Sequence, residues 1–201
     1  MRIVTNKNKL RIPTKKCESV ETGEEISKRL FQALDEHNGF GLSANQIGIN
    51  ASVCVVKVRD DEEPKVLINP RIVEESSEMV SYYEGCLSIP GKGYRTIRHQ
   101  SIKVACDNWV NEIEFGPDEE TLAEETFWKD KGLLECVCIQ HEIDHLNGKL
   151  IIDPDRKLKQ EALRAVKYGR NEKVLVEKDG ETQFIKYKKA QLLLEDGWKI
   201  I

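Results

Sequence analysis

The sequence predicts a mixed α+β fold, and three observations carry that expectation. Residues 24–36 repeat apolar side chains at helical spacing. Residues 131–146 form a second helical stretch, with a stop signal at Asn147-Gly148. Between them, from about residue 52 to residue 115, short runs rich in β-branched side chains alternate with turn residues. No internal repeat is apparent.

In the first helix Ile26, Leu30, Phe31 and Leu34 share one face, and Asn38-Gly39 ends it. Residues 52–58 then read as a strand, carried by Val53, Cys54, Val55 and Val56. Residues 65–69 form another, closed by Pro70. The runs 71–75 and 79–83 are expected to pair with each other across a short turn, and 102–105 and 112–115 to add further strands. The helix at 131–146 opens at Asp130 or a nearby residue. Asp153-Pro154 begins another helix that runs to Tyr168 and stops at Gly169. Beyond it, 173–178 and 182–187 read as a hairpin around Asp179-Gly180, since that pair suits a tight turn. Residues 188–196 follow as a short helix, and Leu192, Leu193, Leu194 and Trp198 give this tail something to pack. The expected organisation is a main domain over 1–169 and an appendage over 170–201.

Chemistry concentrates in the second helix. His141-Glu142-Ile143-Asp144-His145 sets two histidines four residues apart, on one helical face, where both imidazoles can grip one metal ion. Glu142 leaves the helix about 100° away from His141, beside a metal-bound water rather than on the metal. It is placed to handle that water's proton. A catalytic site of this type needs a third protein ligand and an open position. A third histidine in the spaced pattern of some metalloproteases is excluded, because that position is Ile151. Glu161 on the following helix and Cys86 in the stretch Glu84-Gly85-Cys86-Leu87-Ser88 both stay open as ligands. The first of these would make a metallopeptidase.

A third cluster, residues 39–46, reads GFGLSANQ. Its small residues permit close approach, and the Gln46 amide is a neutral donor able to stabilise an oxyanion. The three segments in this order, GFGLSANQ, EGCLS and QHEIDH, resemble the peptide deformylase family, whose motifs are G-x-G-L-A-A-x-Q, E-G-C-L-S and Q-H-E-x-D-H. The only departure within them is Ser43 for the usual alanine. The resemblance covers roughly the first 165 residues.

The resemblance implies antiparallel sheets wrapped around a central metal-binding helix. It implies Cys86, His141 and His145 as ligands of one divalent metal ion, Fe²⁺ by family habit, with Zn²⁺, Ni²⁺ or Co²⁺ also suited to a thiolate and two imidazoles. Glu142 would be the general base and then the acid. Gln46 and the backbone N–H of Leu87 would form the oxyanion hole. The implied substrate is N-formylmethionine at the start of nascent polypeptides, attacked at the formyl carbon by metal-bound water, with formate released. Helical phase sets Leu134, Val137 and Cys138 on the face of His141, where they can line an apolar pocket for methionine or simply belong to the core. Phe40, Gly41 and Ile89 join the pocket by resemblance. Arg98 pairs with Glu84 by the same resemblance, although an exposed arginine is the simpler expectation.

Composition fits this class. A chain of 201 residues can build one sizeable core with an addition. A net charge of −4, with 33% charged residues, argues against a nucleic-acid partner. No run is apolar enough for a membrane helix, and the first residues lack a signal-peptide core, so the cytoplasm is expected. The six cysteines then read as free thiols, and Cys136 and Cys138 point to different sides of their helix. Residues 116–129 exceed the usual family connection and are expected to form a solvated acidic loop or short helix. Arg156, Lys157, Lys159, Arg164 and Lys167 give the next helix a basic face, either solvated or docking to the translating ribosome.

Overall fold

The structure is a computed structural model that describes residues 1–59, 63–91, 93–118, 130–153, 173–178, 181–186, 193 and 198–200. The chain divides into two compact units, Met1–Leu158 and Lys159–Ile201. The expected boundary at 169/170 lies outside the described residues.

The first unit opens with a short helix α1 (Lys7–Leu10), capped by the Asn6 side chain. The long helix α2 (Val20–His37) starts four residues earlier than its apolar pattern suggests. Ser19 caps it by accepting from the Thr22 N–H at 3.1 Å. Gly23 sits inside it, where a Cβ would lie 2.4 Å from the Ile68 side chain. Asn38 ends the helix in the left-handed conformation, as its sequence position suggests.

Strands β1 (Gly41–Ser43), β2 (Val53–Val56) and β3 (Lys65–Ile68) form an antiparallel sheet in the order β1-β2-β3. All four residues of β2 are buried. Alternation explains why. Val53 and Val55 join Ile26, Leu30 and Leu34 of α2 in one core, while Cys54 and Val56 join a second core with Cys136, Ile139 and Ile143.

The next four strands correct the expected pairing. β4 (Arg71–Glu75) does not fold back on β5 (Met79–Glu84). Instead β5 pairs with β6 (Tyr94–His99), and β4 pairs with β7 (Ile102–Ala105), which also pairs with β8 (Ile113–Phe115). The stretch Ser76-Ser77-Glu78 has no residue suited to a tight hairpin turn. It is stitched to the returning chain by Ser76 N–H to Ser101 O at 3.0 Å and Gln100 N–H to Glu78 O at 2.9 Å. The chain thus runs out through β4 and β5 and returns through β6 and β7.

Helix α3 (Lys131–Leu146) has the bounds its caps predict, with Asp130 accepting from Leu133 N–H at 2.7 Å and Asn147 closing the end. It is buried along most of its length. Its apolar residues meet β2, β3, β7 and β8 on one side, and Leu133 and Val137 meet Tyr82 of β5 on another. Antiparallel sheets therefore wrap around α3. In the second unit β9 (Lys173–Lys178) pairs antiparallel with β10 (Glu181–Lys186) and with β11 (Lys199–Ile200). The helix expected at 154–168, all of that at 188–196 but residue 193, and most of the 116–129 connection lie outside the described residues.

Candidate active site

Three short segments meet at the second half of α3. Cys86 comes from the loop after β5, and Gln46 from a 3-10 turn, Ala44–Ile47, that follows β1. His141, Glu142 and His145 leave α3 itself. The ligand atoms of Cys86, His141 and His145 all lie within 4.8 Å of one another. Cys86 Sγ is 3.2 Å from His145 Nε2, and the two imidazole centroids are 4.9 Å apart. A thiolate and two imidazoles converging at this distance suit a single transition-metal ion, so the donor set fits the expected group.

The ring of His141 is held from behind. Its Nδ1 lies 2.7 Å from Glu84 Oε2, which turns Nε2 toward Cys86. Arg98 donates to both Glu84 oxygens, at 2.7 and 2.9 Å, and also to Asp144 on α3. Thr96 adds a hydroxyl donor to Glu84. Arg98 is only 1% exposed, so the expectation of a surface arginine is overturned, whereas the Glu84 pairing is present. Burial raises the Glu84 pKa, but His141 and Arg98 outweigh it and hold the carboxylate well below its ordinary range. The imidazoles are driven apart. Burial opposes charge on His141, yet Cys86 and Glu84 push its pKa up, while burial, His141 and Arg98 push His145 down.

Glu142 is 3% exposed, and its Oε2 has no hydrogen-bond partner among the described residues. Burial raises its pKa to about 7, against a smaller lowering by His141 and the Ser43 hydroxyl. Gln46 Oε1 accepts from the Ser43 N–H and hydroxyl, and its Nε2 donates to Ser88 Oγ at 3.1 Å.

These residues open onto a pocket of about 640 Å³. Phe40, Gly41, Gln46, Cys86, Leu87, Ile89, Leu134, Val137, Cys138, His141 and Glu142 all line it, whereas the expected ligand His145 is not among the lining residues. Glu161, the competing ligand, lies outside the described residues.

A profile of the polypeptide deformylase family matches residues 1–161. The chain belongs to the peptide deformylase family. It is 35% identical over 157 residues to a peptide deformylase of Borreliella burgdorferi, covering 77% of this chain and 87% of that one. It is 36% identical over 159 residues to that of Pseudomonas aeruginosa, covering 78% and 86%. Among solved structures, Arabidopsis thaliana peptide deformylase 1B aligns with a TM-score of 0.65 at 29% identity, over 82% of this chain and 86% of that one. The peptide deformylase of Thermotoga maritima aligns with a TM-score of 0.61 at 31% identity, over 79% and 97%. Membership in the deformylase family makes the protein an enzyme, a metal-dependent hydrolase.

Several features of this deformylase site escape sequence reading. Tyr82 and Tyr83 also line the pocket, and Tyr83 is 65% exposed. Tyr82 lies two residues before Glu84 on β5, so strand alternation was the available signal. Ser88, Thr96 and Asp144 complete hydrogen bonds to site residues; Ser88 and Asp144 lie inside the EGCLS and QHEIDH motifs, whereas Thr96 carries no local pattern of its own. Gly41 proves sterically constrained, since a Cβ there would lie 2.6 Å from Cys138 Sγ and 2.8 Å from Glu142 Oε1. Cys136 turns instead toward the His99 and Gln100 carbonyls, so the two thiols of α3 do point apart. Among the described residues no helix is long and apolar enough to cross a membrane.

Proposed function

We propose that this enzyme removes the formyl group from N-formylmethionine at the start of nascent polypeptides and releases formate. The observation that carries the reading is the convergence of Cys86, His141 and His145 beside Glu142, whose buried Oε2 has no hydrogen-bond partner among the described residues, with Cys86, His141 and Glu142 lining one pocket. When held by Cys86, His141 and His145, a divalent cation supplies the Lewis acidity that makes water nucleophilic at neutral pH.

Glu142 takes the proton of the attacking water and delivers it to the departing amine nitrogen. A pKa near 7 suits both halves of that task. As the formyl carbon becomes tetrahedral, charge collects on its oxygen, and Gln46 Nε2 and the Leu87 N–H donate to it. Leu134, Val137, Cys138, Ile89 and Phe40 surround the methionine side chain, and Gly41 leaves its backbone open to the peptide. Glu84 and Arg98 hold the His141 ring in one orientation. The ion is Fe²⁺ in the cell, with Zn²⁺, Ni²⁺ or Co²⁺ as substitutes, and elemental analysis of anaerobically purified protein tests this.

The substrate ties the enzyme to chains emerging from the translating ribosome, hence to the cytoplasm, with neither nucleic acid nor membrane as a direct partner. Residues 1–169 form the catalytic domain, and 170–201 an appendage outside the catalytic constellation. The deciding experiment offers a formyl-methionyl tripeptide to metal-loaded enzyme. Release of formate with the peptide bonds intact is expected. Cleavage of a peptide bond without formate would instead make the enzyme a peptidase.

A further inference from the structure

Ser43 is the one position at which the three motifs depart from the family pattern, and the structure gives its hydroxyl specific work. The residue is fully buried. It precedes the 3-10 turn that carries Gln46 and clamps the Gln46 amide at one end. Gln46 Oε1 accepts from the Ser43 backbone N–H at 2.9 Å and from the Ser43 hydroxyl at 2.8 Å. Alanine would supply only the first of these donors. With Oε1 anchored, Nε2 is turned the other way, toward Ser88 Oγ at 3.1 Å and Cys86 Sγ at 3.9 Å. A flipped amide would set its NH2 group against the Ser43 N–H, donor against donor, and would force the hydroxyl to turn from donor to acceptor, giving up its proton to Asn45 Oδ1. The hydroxyl carries a single proton, and Asn45 Oδ1 at 3.0 Å also faces it.

We propose that Ser43 is a positioning residue: its hydroxyl locks the Gln46 amide with Nε2 presented to the developing oxyanion. This rests on the assignment of Gln46 as oxyanion donor made above. Ser43 is not among the residues that line the pocket, although its hydroxyl also faces the Glu142 carboxylate. Its contribution belongs to the transition state, because the oxyanion charge that Nε2 meets is fully developed only there.

The test uses zinc-loaded, full-length enzyme with a formyl-methionyl tripeptide. Ser43→Ala is expected to lower kcat by roughly threefold to tenfold, the range set by one neutral hydrogen bond. KM and metal content should stay unchanged. In the Gln46→Ala background the same substitution should change kcat little, because the group it acts through is gone. A readout apart from turnover is the ¹⁵N resonance pair of the Gln46 side-chain amide, assigned by its loss in Gln46→Ala. Ser43→Ala should broaden or shift that pair. If Ser43→Ala does not fold, Ser43→Cys, a weaker donor of similar size, is read by the same criteria. The proposal is overturned if kcat is unchanged while Gln46→Ala lowers it, if the loss appears in KM, or if the full loss persists without Gln46. Persistence would route the hydroxyl through Glu142, which it also faces. If Gln46→Ala itself leaves kcat intact, the oxyanion assignment fails and this inference falls with it.

Discussion

The two halves of the site are held in place by different means. His141, Glu142 and His145 project from α3, a helix whose backbone hydrogen bonds fix the spacing of the two imidazoles. Cys86 and Gln46 sit on a loop and a single 3-10 turn, which have no repeating ladder to fix them. Side chains do that work instead. Gln46 is clamped by Ser43 and Ser88, and Asn45 Nδ2 donates to the His145 carbonyl at 2.6 Å. Arg98 spans the divide, tying Asp144 on α3 to Glu84, two residues before Cys86. The helix half is thus set by a repeating backbone ladder, while the loop half takes its geometry from individual side-chain contacts, some local, as Ser43 to Gln46, and some distant in sequence, as Gln46 to Ser88.

The comparison breaks most completely at the loop ligand. Cys86→Ala should weaken metal retention by at least about 100-fold, beyond the losses seen when supporting residues are changed. Metal content after desalting measures this, and a variant that keeps its metal would shift the third ligand elsewhere, Glu161 first. On the helix side, Glu142→Gln keeps size and hydrogen bonding but cannot carry the proton. It should retain metal and lose roughly 10²-fold or more in kcat. Near-normal turnover with metal in place would assign the proton to another group.

The bridge between the halves comes next. Arg98→Met leaves Glu84 and Asp144 buried without their cation, and stability to urea should fall by about 3–5 kcal/mol, as for other broken buried pairs. The acid range sharpens this. The Glu84 pKa is depressed in the folded protein, so its stabilisation is complete above the unfolded carboxylate pKa of about 4.3 and is lost as pH falls toward the folded value. The gap between wild type and Arg98→Met should therefore narrow below that pH, and a constant gap would deny Glu84 its role. The smallest effect is expected outside both halves. Truncation after residue 169 should leave turnover of a short formyl peptide largely intact, with circular dichroism confirming the fold. A folded, metal-loaded but inactive truncation would bring the tail into the site.

The same division decides what could be read in the sequence. The bounds of α3 were legible because Asp130 and Asn147-Gly148 are local stop and start signals. The residues of the site were legible because their motifs are short and local. Strand β6 was not, because its inward positions are Thr96 and Arg98, polar residues that serve Glu84 and erase the apolar alternation. The pairing of β4 and β5 failed for a related reason: their partners lie beyond the EGCLS loop, and no local pattern reports a non-local ladder. The Glu84–His141 contact joins residues 57 apart in the chain. The Ser43 hydroxyl contact to Gln46 hides in a small-for-small exchange that spacing cannot distinguish from drift.

Strand β2 carries one more consequence. Its alternate side chains belong to two cores, one under α2 and one under α3. Lifting α2 away would bare Val53 and Val55, and lifting α3 would bare Cys54 and Val56. The strand therefore has no cheap local opening, and its amides should exchange with solvent deuterium only when the whole first unit unfolds. Donors drawn from separate stretches of chain thus rest on a single cooperative block, and the metal site keeps its shape for as long as that block survives.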